Sequence, residues 1–261
     1  MPGSNELFIG KVEAVHVDEE YLGKNGNILW NKMDLIERGE MTMKVVLING
    51  SPRKNWNTHK LLIEAEKGAK EAGATTEIIH LFDLKNTDCI SCFACKLRGN
   101  KTDGVCAVRD ELKPVLERIA EADSVIIGSP VYYGNLTGQV LSFINRLLFP
   151  IMHYEVDPRT GRPENVLKKE KKCGLIVTMN ASEEHNQSGY GNTFESLAGS
   201  IGMVLGSCET LYSCDTYQFR DYSKYYASMW DEGHKAEHRE KQFPIDLNNA
   251  YLMGKRLCEN A

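Results

Sequence analysis

Two stretches of this 261-residue chain carry side chains whose types and spacing suit them to chemistry. The first is Asn49-Gly50-Ser51-Pro52-Arg53-Lys54-Asn55-Trp56-Asn57-Thr58, which follows the apolar run KVVLING and opens an amphipathic segment. A loop between the carboxyl end of a strand and a helix N-terminus presents unpaired backbone N–H groups and the positive end of the macrodipole, so it suits a phosphate. Ser51 and Thr58 add hydroxyls, Asn57 an amide and Arg53 a permanent charge. An ordinary capped βα loop draws on the same residue types. The second stretch is Cys89-Ile90-Ser91-Cys92-Phe93-Ala94-Cys95, with Cys106 after the insert KLRGNKTDGV. A C-x2-C-x2-C run can wrap three corners of an iron-sulfur cube while a fourth thiolate arrives from further along. Structural zinc more often takes two separated pairs, and the second pair is missing. Thiol redox chemistry beside Lys96, Arg98 and Lys101, or a merely structural set of thiols, stays open.

A third segment, Ser129-Pro130-Val131-Tyr132-Tyr133-Gly134-Asn135, follows another apolar run. Pro130 stiffens the exit from a strand, Gly134 permits close backbone approach, and Tyr132 and Tyr133 offer flat faces with polar tips, which suit a planar heterocycle. The bland alternative is a tight βα connection with two surface tyrosines. Two competing phosphate motifs are absent: GxxxxGK[ST], which argues against a nucleoside triphosphatase, and GxGxxG after a strand, which argues against a dinucleotide held in the Rossmann manner.

GSPRKNWNT resembles the GSPRxxGNT phosphate loop of the NADPH-dependent FMN reductase and iron-sulfur flavoprotein family, within the flavodoxin-like superfamily. SPVYYGN is similar to that family's SPxYxG loop. The resemblance runs over roughly residues 43 to 260, and it departs at Trp56, where the family usually has Gly. It implies FMN as cofactor, with Ser51, Arg53, Asn57 and Thr58 on the phosphate and Pro130, Val131, Tyr132, Tyr133, Gly134 and Asn135 along the isoalloxazine. Met179 and Asn180, in the loop after the fourth strand, would border the pyrimidine end. It also implies NAD(P)H as co-substrate, a small-molecule electron acceptor and a homodimer or tetramer. In the iron-sulfur branch Cys89, Cys92, Cys95 and Cys106 would hold a [4Fe-4S] cluster, and the partner would be ferredoxin-like; the insert before Cys106 is longer than that branch carries. Two function classes follow: an NAD(P)H-dependent FMN reductase, favoured by the cysteine spacing, or an iron-sulfur flavoprotein acting as an electron carrier.

These loops need a frame, and the pattern from Met43 onward supplies one. Short β-branched runs alternate with amphipathic segments, the signature of βαβ units. Strands are expected at 44–50, 76–81, 124–129, 173–179 and 208–213, and helices at 58–72, 111–122, 137–148 and 192–205. The expected architecture is α/β, a flavodoxin-like doubly wound five-stranded parallel sheet of order 2-1-3-4-5 with helices on both faces. In that order the carboxyl ends of strands one, three and four converge at the switch point where ligands bind. The tail from Tyr217 carries clustered aromatics and a charged helix, HKAEHREK; its simplest reading is a surface helix with a core-facing aromatic stripe, against a lid over the flavin or a subunit contact.

Residues 1–42 form an N-terminal extension ahead of a flavodoxin-like FMN-binding domain at 43–261. Its run LFIGKVEAVHVDEE resembles the closing strand of a flavin reductase split barrel and is assigned no catalytic role. The formal charge of −5 comes mostly from the first forty residues, which argues against nucleic acid and anionic membrane as partners. No stretch is apolar for long enough to span a membrane, and the N-terminus lacks secretory signal character, so a cytoplasmic location is expected. Reduced thiols follow from that location, and the remaining cysteines, Cys173, Cys208, Cys214 and Cys258, read as buried and inert. No triad surrounds His59, His153 or His185.

Overall fold

The computed structural model describes residues 42–259 apart from 100, 101 and 168, together with Asn25. The expected strand in the extension, and Lys101, lie outside the described residues.

Three runs dominated by β-branched and apolar residues form the middle of the sheet: β1 (Lys44–Asn49), β3 (Ser124–Tyr132) and a third at Lys171–Thr178. Being covered on both faces, they tolerate apolar side chains in every register position, which is why they read as continuous apolar runs. β2 (Thr75–His80) and the strand Gly206–Ser213 close the two edges and are only half-buried. Between β3 and the next central strand stand β4 (Asn135–Leu136), β5 (Met152–Val156) and β6 (Pro163–Asn165), so the central strand Lys171–Thr178 is β7 and the last edge is β8. The parallel order is β2-β1-β3-β7-β8, the 2-1-3-4-5 arrangement expected. Two additions had no counterpart in the sequence reading: β4 pairs antiparallel with the end of β3, and β5 and β6 form a separate exposed hairpin.

Helices cover both faces. α1 (Asn57–Glu71) buries Leu61, Leu62, Ala65 and Ala69 on one side. α2 (Lys113–Glu121), α3 (Gly138–Leu148) and α5 (Gly191–Leu205) cover the other, with Phe143, Ile144, Phe194 and Ile201 in one cluster with the inward side chains of β1, β3 and β7. Each fully buried side chain of that size contributes about 1.5–3 kcal/mol. The short turn α4 (Glu183–His185) leads through a wide turn, Asn186–Tyr190, into α5. α2 begins at Lys113 instead of Glu111 because the side chains of Asp110 and Glu111 are taken by the backbone N–H groups of Thr87 and Lys85, at 3.1 and 2.6 Å.

The tail differs from its expected form. The charged helix is α6 (Glu232–Lys241), but the clustered aromatics precede it in irregular chain: Tyr222 is buried, whereas Tyr225 and Tyr226 are exposed. No core-facing stripe forms. A last helix, α7 (Phe243–Arg256), lies against α1. Gly68 and Gly254 make that approach possible, since a Cβ on either would stand 1.9 Å from a carbonyl oxygen, of Tyr251 and Ala65 respectively.

Candidate functional site

The carboxyl ends of β1, β3 and β7 meet at one edge of the sheet and are tied there by named bonds. Gly50 N–H donates to Gly128 O (2.8 Å), and the Thr137 hydroxyl donates to Gly50 O (2.9 Å). Thr137 N–H donates to Ser129 Oγ (3.1 Å), and the Thr58 and Thr178 hydroxyls share a bond of 2.7 Å. The three loops expected to converge are brought together by these contacts.

Within the phosphate loop, Ser51 is buried; its N–H donates to Asn49 Oδ1 (2.9 Å) and its Oγ accepts from Arg53 N–H (3.1 Å). The amide of Asn49 faces the Nδ1 atoms of His59 (3.3 Å) and His80 (3.1 Å). An amide nitrogen only donates, so both rings accept and are neutral at those atoms. Burial above all holds both imidazoles below their ordinary pKa, in keeping with that role. The N-cap residue of α1, Trp56, supplies no side-chain cap, so the first-turn N–H groups have no side-chain acceptor there. That is a cradle for an anion, flanked by the buried hydroxyls of Ser51 and Thr58.

A fourth segment, which carried no motif, completes the edge: the chain 214–219 after β8. Tyr217 O accepts from Trp56 Nε1 (3.0 Å) and Asn57 Nδ2 (2.8 Å), while Asn57 Oδ1 accepts from Arg239 Nη1 (2.7 Å). Arg53 is exposed and reaches Gln218 O through Nη1 (2.6 Å). Asn180 Nδ2 donates to Gln218 Oε1 (2.9 Å), whereas Asn180 Oδ1 is buried without a partner. The segment is anchored by Lys235, whose buried Nζ donates to Asn180 O (2.7 Å) and to Asp215 Oδ1. Met179 lies in the core, and its carbonyl accepts from Thr216 N–H (2.9 Å) and Oγ1 (3.0 Å).

The segment expected to be a loop after Ser129 is a tight hairpin. β3 continues through Pro130, Val131 and Tyr132, which pairs with Asn135 of β4, while Tyr133 and Gly134 turn the chain with φ of 49° and 75°. Two positive φ values suit a two-residue hairpin turn, but a tyrosine there is strained. Tyr133 is fully exposed and Tyr132 half-exposed. The ring of Tyr190 lies 2.9 Å from where a Cβ on Gly134 would stand, so Tyr190 and its edge-on neighbour His185 (4.9 Å between centroids) border the same edge. Tyr190 was not singled out in the sequence, and His185 was named there only as a histidine without a triad.

In the loop that follows β2, all four clustered cysteines line one cavity with Phe93, Phe149 and Arg146, and all eight cysteines of the chain are free thiols. Cys95 and Cys106 are buried, Cys92 is exposed. Arg146 of α3, fully buried, clamps both ends of the loop: Nη1 donates to Thr87 O (3.0 Å) and to Asp110 Oδ2, and Nη2 to Val108 O (3.2 Å) and Asp110 Oδ1 (2.9 Å). Its Nε is buried without a partner. No group of three His, Cys, Asp or Glu among the described residues is gathered for a single metal ion. A four-iron cube is much larger than one ion and needs its thiolates correspondingly spread.

The cations near these thiols are engaged elsewhere. Lys96 Nζ donates to the carbonyls of Phe149 and Met152, and Arg98 pairs with Glu155 at 2.9 Å. Burial pushes the Cys95 thiol up despite Lys96. Burial likewise raises Cys173 and Cys258, and raises Cys208 and Cys214 to about 12; Cys173, Cys214 and Cys258 are buried as expected, whereas Cys208, on edge strand β8, is only half-buried.

A doubly wound sheet with an uncapped helix N-terminus at its switch point defines a flavodoxin-like mononucleotide fold. The chain belongs to the NADPH-dependent FMN reductase family, whose model matches residues 43–210. It is 43% identical over 104 residues to an iron-sulfur flavoprotein of Archaeoglobus fulgidus, covering 40% of this chain and 48% of that one. A second iron-sulfur flavoprotein of that organism is 33% identical over 150 residues, 58% of this chain and 61% of the relative. The chain thus spans about half the length of the curated relatives it matches. Among solved structures it resembles an NAD(P)H:quinone oxidoreductase from Methanothermobacter marburgensis, with TM-score 0.60, 15% identity, and 84% and 99% of the two chains covered. An azoreductase from Bacillus anthracis gives TM-score 0.57 at 16% identity, covering 82% and 100%. These two show the fold. No helix among the described residues is long and apolar enough to cross a membrane.

Proposed function

We propose that the chain is an FMN-dependent oxidoreductase that takes reducing equivalents from NAD(P)H and passes them to a small acceptor such as a quinone or free flavin. The observation that carries this reading is the uncapped N-terminus of α1, set between the buried hydroxyls of Ser51 and Thr58 at the switch point. Ser51, Asn57, Thr58 and Arg53 would hold the phosphate. Tyr132, Tyr133, Gly134 and Asn135, with Pro130 and Val131 behind them, would line the ring, and the orphaned Asn180 Oδ1 beside Met179 supplies an acceptor for a ring N–H. FMN, when bound, accepts a hydride or single electrons, so the protein need supply only binding, orientation and electrostatics. The hairpin and Tyr190 exclude water from one side of the ring, and His59 and His80, by accepting from the Asn49 amide, hold its oxygen on Ser51 N–H.

Arg53→Ala tests the assignment. Loss of one charge-assisted contact, worth about 1.5–3 kcal/mol, lowers FMN affinity tens-fold and leaves riboflavin affinity nearly unchanged in a fluorescence titration. Equal loss for both ligands moves the phosphate elsewhere.

The second reading, an electron carrier bearing an iron-sulfur cluster, is favoured by one observation: Cys89, Cys92, Cys95 and Cys106 line a single cavity into which buried Arg146 also opens. A buried Arg146 N–H without a partner beside four thiols fits the anionic cluster they would hold once deprotonated, and the two relatives from Archaeoglobus fulgidus are named iron-sulfur flavoproteins. A ferredoxin-like partner would follow. Iron and acid-labile sulfide analysis after anaerobic expression decides: about four of each per chain supports the carrier, none supports the plain reductase. A homodimer or tetramer, a cytoplasmic location, and a boundary near residue 42 belong to the same reading.

A further inference from the structure

Asn49 occupies a place where an apolar side chain would need no partners. Val45 and Leu47 of β1 pack in one cluster with Leu61 and Leu62 of α1, and the alternation along the strand puts Asn49 on the same side, fully buried. Both of its amide hydrogens are taken. One meets Nδ1 of His80, its register partner at the end of β2, at 3.1 Å, and the other meets Nδ1 of His59 on α1 at 3.3 Å. Its Oδ1 accepts from Ser51 N–H at 2.9 Å, and Ser51 Oγ accepts from Arg53 N–H at 3.1 Å. The Ser51 donor fixes which end of the amide is oxygen, so neither ring carries a proton on Nδ1 without setting one donor against another.

The charged groups around the two rings largely offset one another. Asp83 and Lys54 act on His80 in opposite senses and pair together at 2.6 Å, while Glu66, which acts on His59, is paired with Lys70 at 3.0 Å. Burial is left as the main influence on both rings. The ring centroids are 5.1 Å apart, so a charge on one opposes a charge on the other, and a single proton is the event that matters. Once either Nδ1 is protonated, the amide recovers a partner for it by turning its oxygen to that ring. The oxygen is then lost to Ser51.

We infer that Asn49 is a positioning residue for the phosphate loop and that His59 and His80 make its hold proton-dependent: with both rings neutral the loop is set for a phosphate, and protonation of either ring releases Ser51 and weakens binding. This rests on the oxidoreductase reading for its ligand. FMN affinity is measured by fluorescence between about pH 7 and 5, the span in which histidine titrates. The comparison is the double variant His59→Gln/His80→Gln, whose side-chain oxygens accept from Asn49 without titrating. The FMN phosphate changes charge near about pH 6 in both proteins, so the difference between them isolates the rings. Wild-type affinity falls about threefold or more beyond the fall in the variant. An equal fall overturns the inference, as does a shallower one, which direct attraction between imidazolium and phosphate would give. A second measurement needs neither FMN nor the variant: nitrogen-15 spectra of the free wild-type protein show both rings as the Nε2–H tautomer at neutral pH, and the Ser51 amide signal moves with their titration. An Nδ1–H tautomer in either ring, or a Ser51 amide indifferent to the titration, overturns the inference. A failure of FMN to bind is read separately and sinks the oxidoreductase reading, and these spectra then still report on Asn49.

Discussion

The phosphate loop and the cysteine loop leave neighbouring strands of one sheet, yet they are held in place by different means. The phosphate loop is short and hangs from three strand ends, so its geometry is set many times over: Gly50 to Gly128, Thr137 to Gly50, Thr58 to Thr178, and Trp56 and Asn57 to Tyr217. The cysteine loop is long, mostly without regular structure, and its two ends are clamped by one buried side chain, Arg146, against Thr87, Val108 and Asp110. A distributed set of weak bonds makes a site tolerant of any single loss. One buried charge makes a site whose order depends on that charge.

The largest effect expected from this contrast is that of Arg146→Met. Removing the guanidinium strands Asp110 and two carbonyls in a buried place, and breaking a buried pair in this way costs about 3–5 kcal/mol. The midpoint of urea unfolding falls accordingly, and Cys95 and Cys106 become reactive toward a thiol reagent in the folded protein. FMN affinity, measured on the folded fraction, stays within about twofold. Loss of FMN binding together with thiol exposure would mean that the two loops are one cooperative unit.

Thr58→Val probes the other side of the comparison. It leaves the buried Thr178 hydroxyl without its partner, at a cost of about 1–3 kcal/mol, while the remaining bonds hold the loop. FMN affinity falls and riboflavin affinity barely moves, because what is removed is a phosphate donor. The cysteines keep their native reactivity.

The same contrast explains which parts were legible in the sequence. β1, β3 and β7 are dominated by apolar residues, so the strands themselves could be located from pattern, whereas their order, and with it the switch point, came with the flavodoxin-like resemblance. Hairpin β5–β6 left no trace, because Met152-His153-Tyr154-Glu155-Val156 is half-buried at its first two residues, exposed at the rest, and lacks a buried alternation. Helix α7 was missed for a different reason: Asn248, Asn249 and Gly254 lower its intrinsic propensity, and what stabilises it is close packing on α1 through two glycines. The segment 214–219 meets the phosphate loop through the backbone carbonyls of Tyr217 and Gln218, which any residue supplies. Arg146 belongs to no motif, and only its distant partners at 87, 108 and 110 give it a role.

The smallest effects, and the ones that discriminate most finely between the two regions, come from two carboxylates that titrate in opposite senses. Burial pushes the Asp110 carboxyl up, but bonds from Arg146 and from the Thr87 and Leu112 N–H groups outweigh it and hold its pKa below the usual value. The unfolded chain then binds the proton more readily than the folded one, so Asp110 adds stability above its ordinary pKa that is lost as the pH falls through the lower folded value. Asp246 in α7, bonded to Ser213 at the end of β8, is raised by burial despite Ser213, Gln242 and His238. Its contribution is present below the ordinary pKa and is lost as the pH rises through the higher folded value. Asp110→Asn therefore lowers stability at neutral pH, by up to about 3 kcal/mol, and flattens the loss on acidification. Asp246→Asn keeps an acceptor for Ser213, gains about 1 kcal/mol or less at neutral pH, and flattens the decline on raising the pH. Urea midpoints measured between about pH 3 and 7 read both slopes. If the two variants shift the profile in the same direction, the buried Asp246 at the end of β8 is paired in solution as firmly as Asp110 at the cysteine loop, and the two carboxylates do not differ in the sense of their titration.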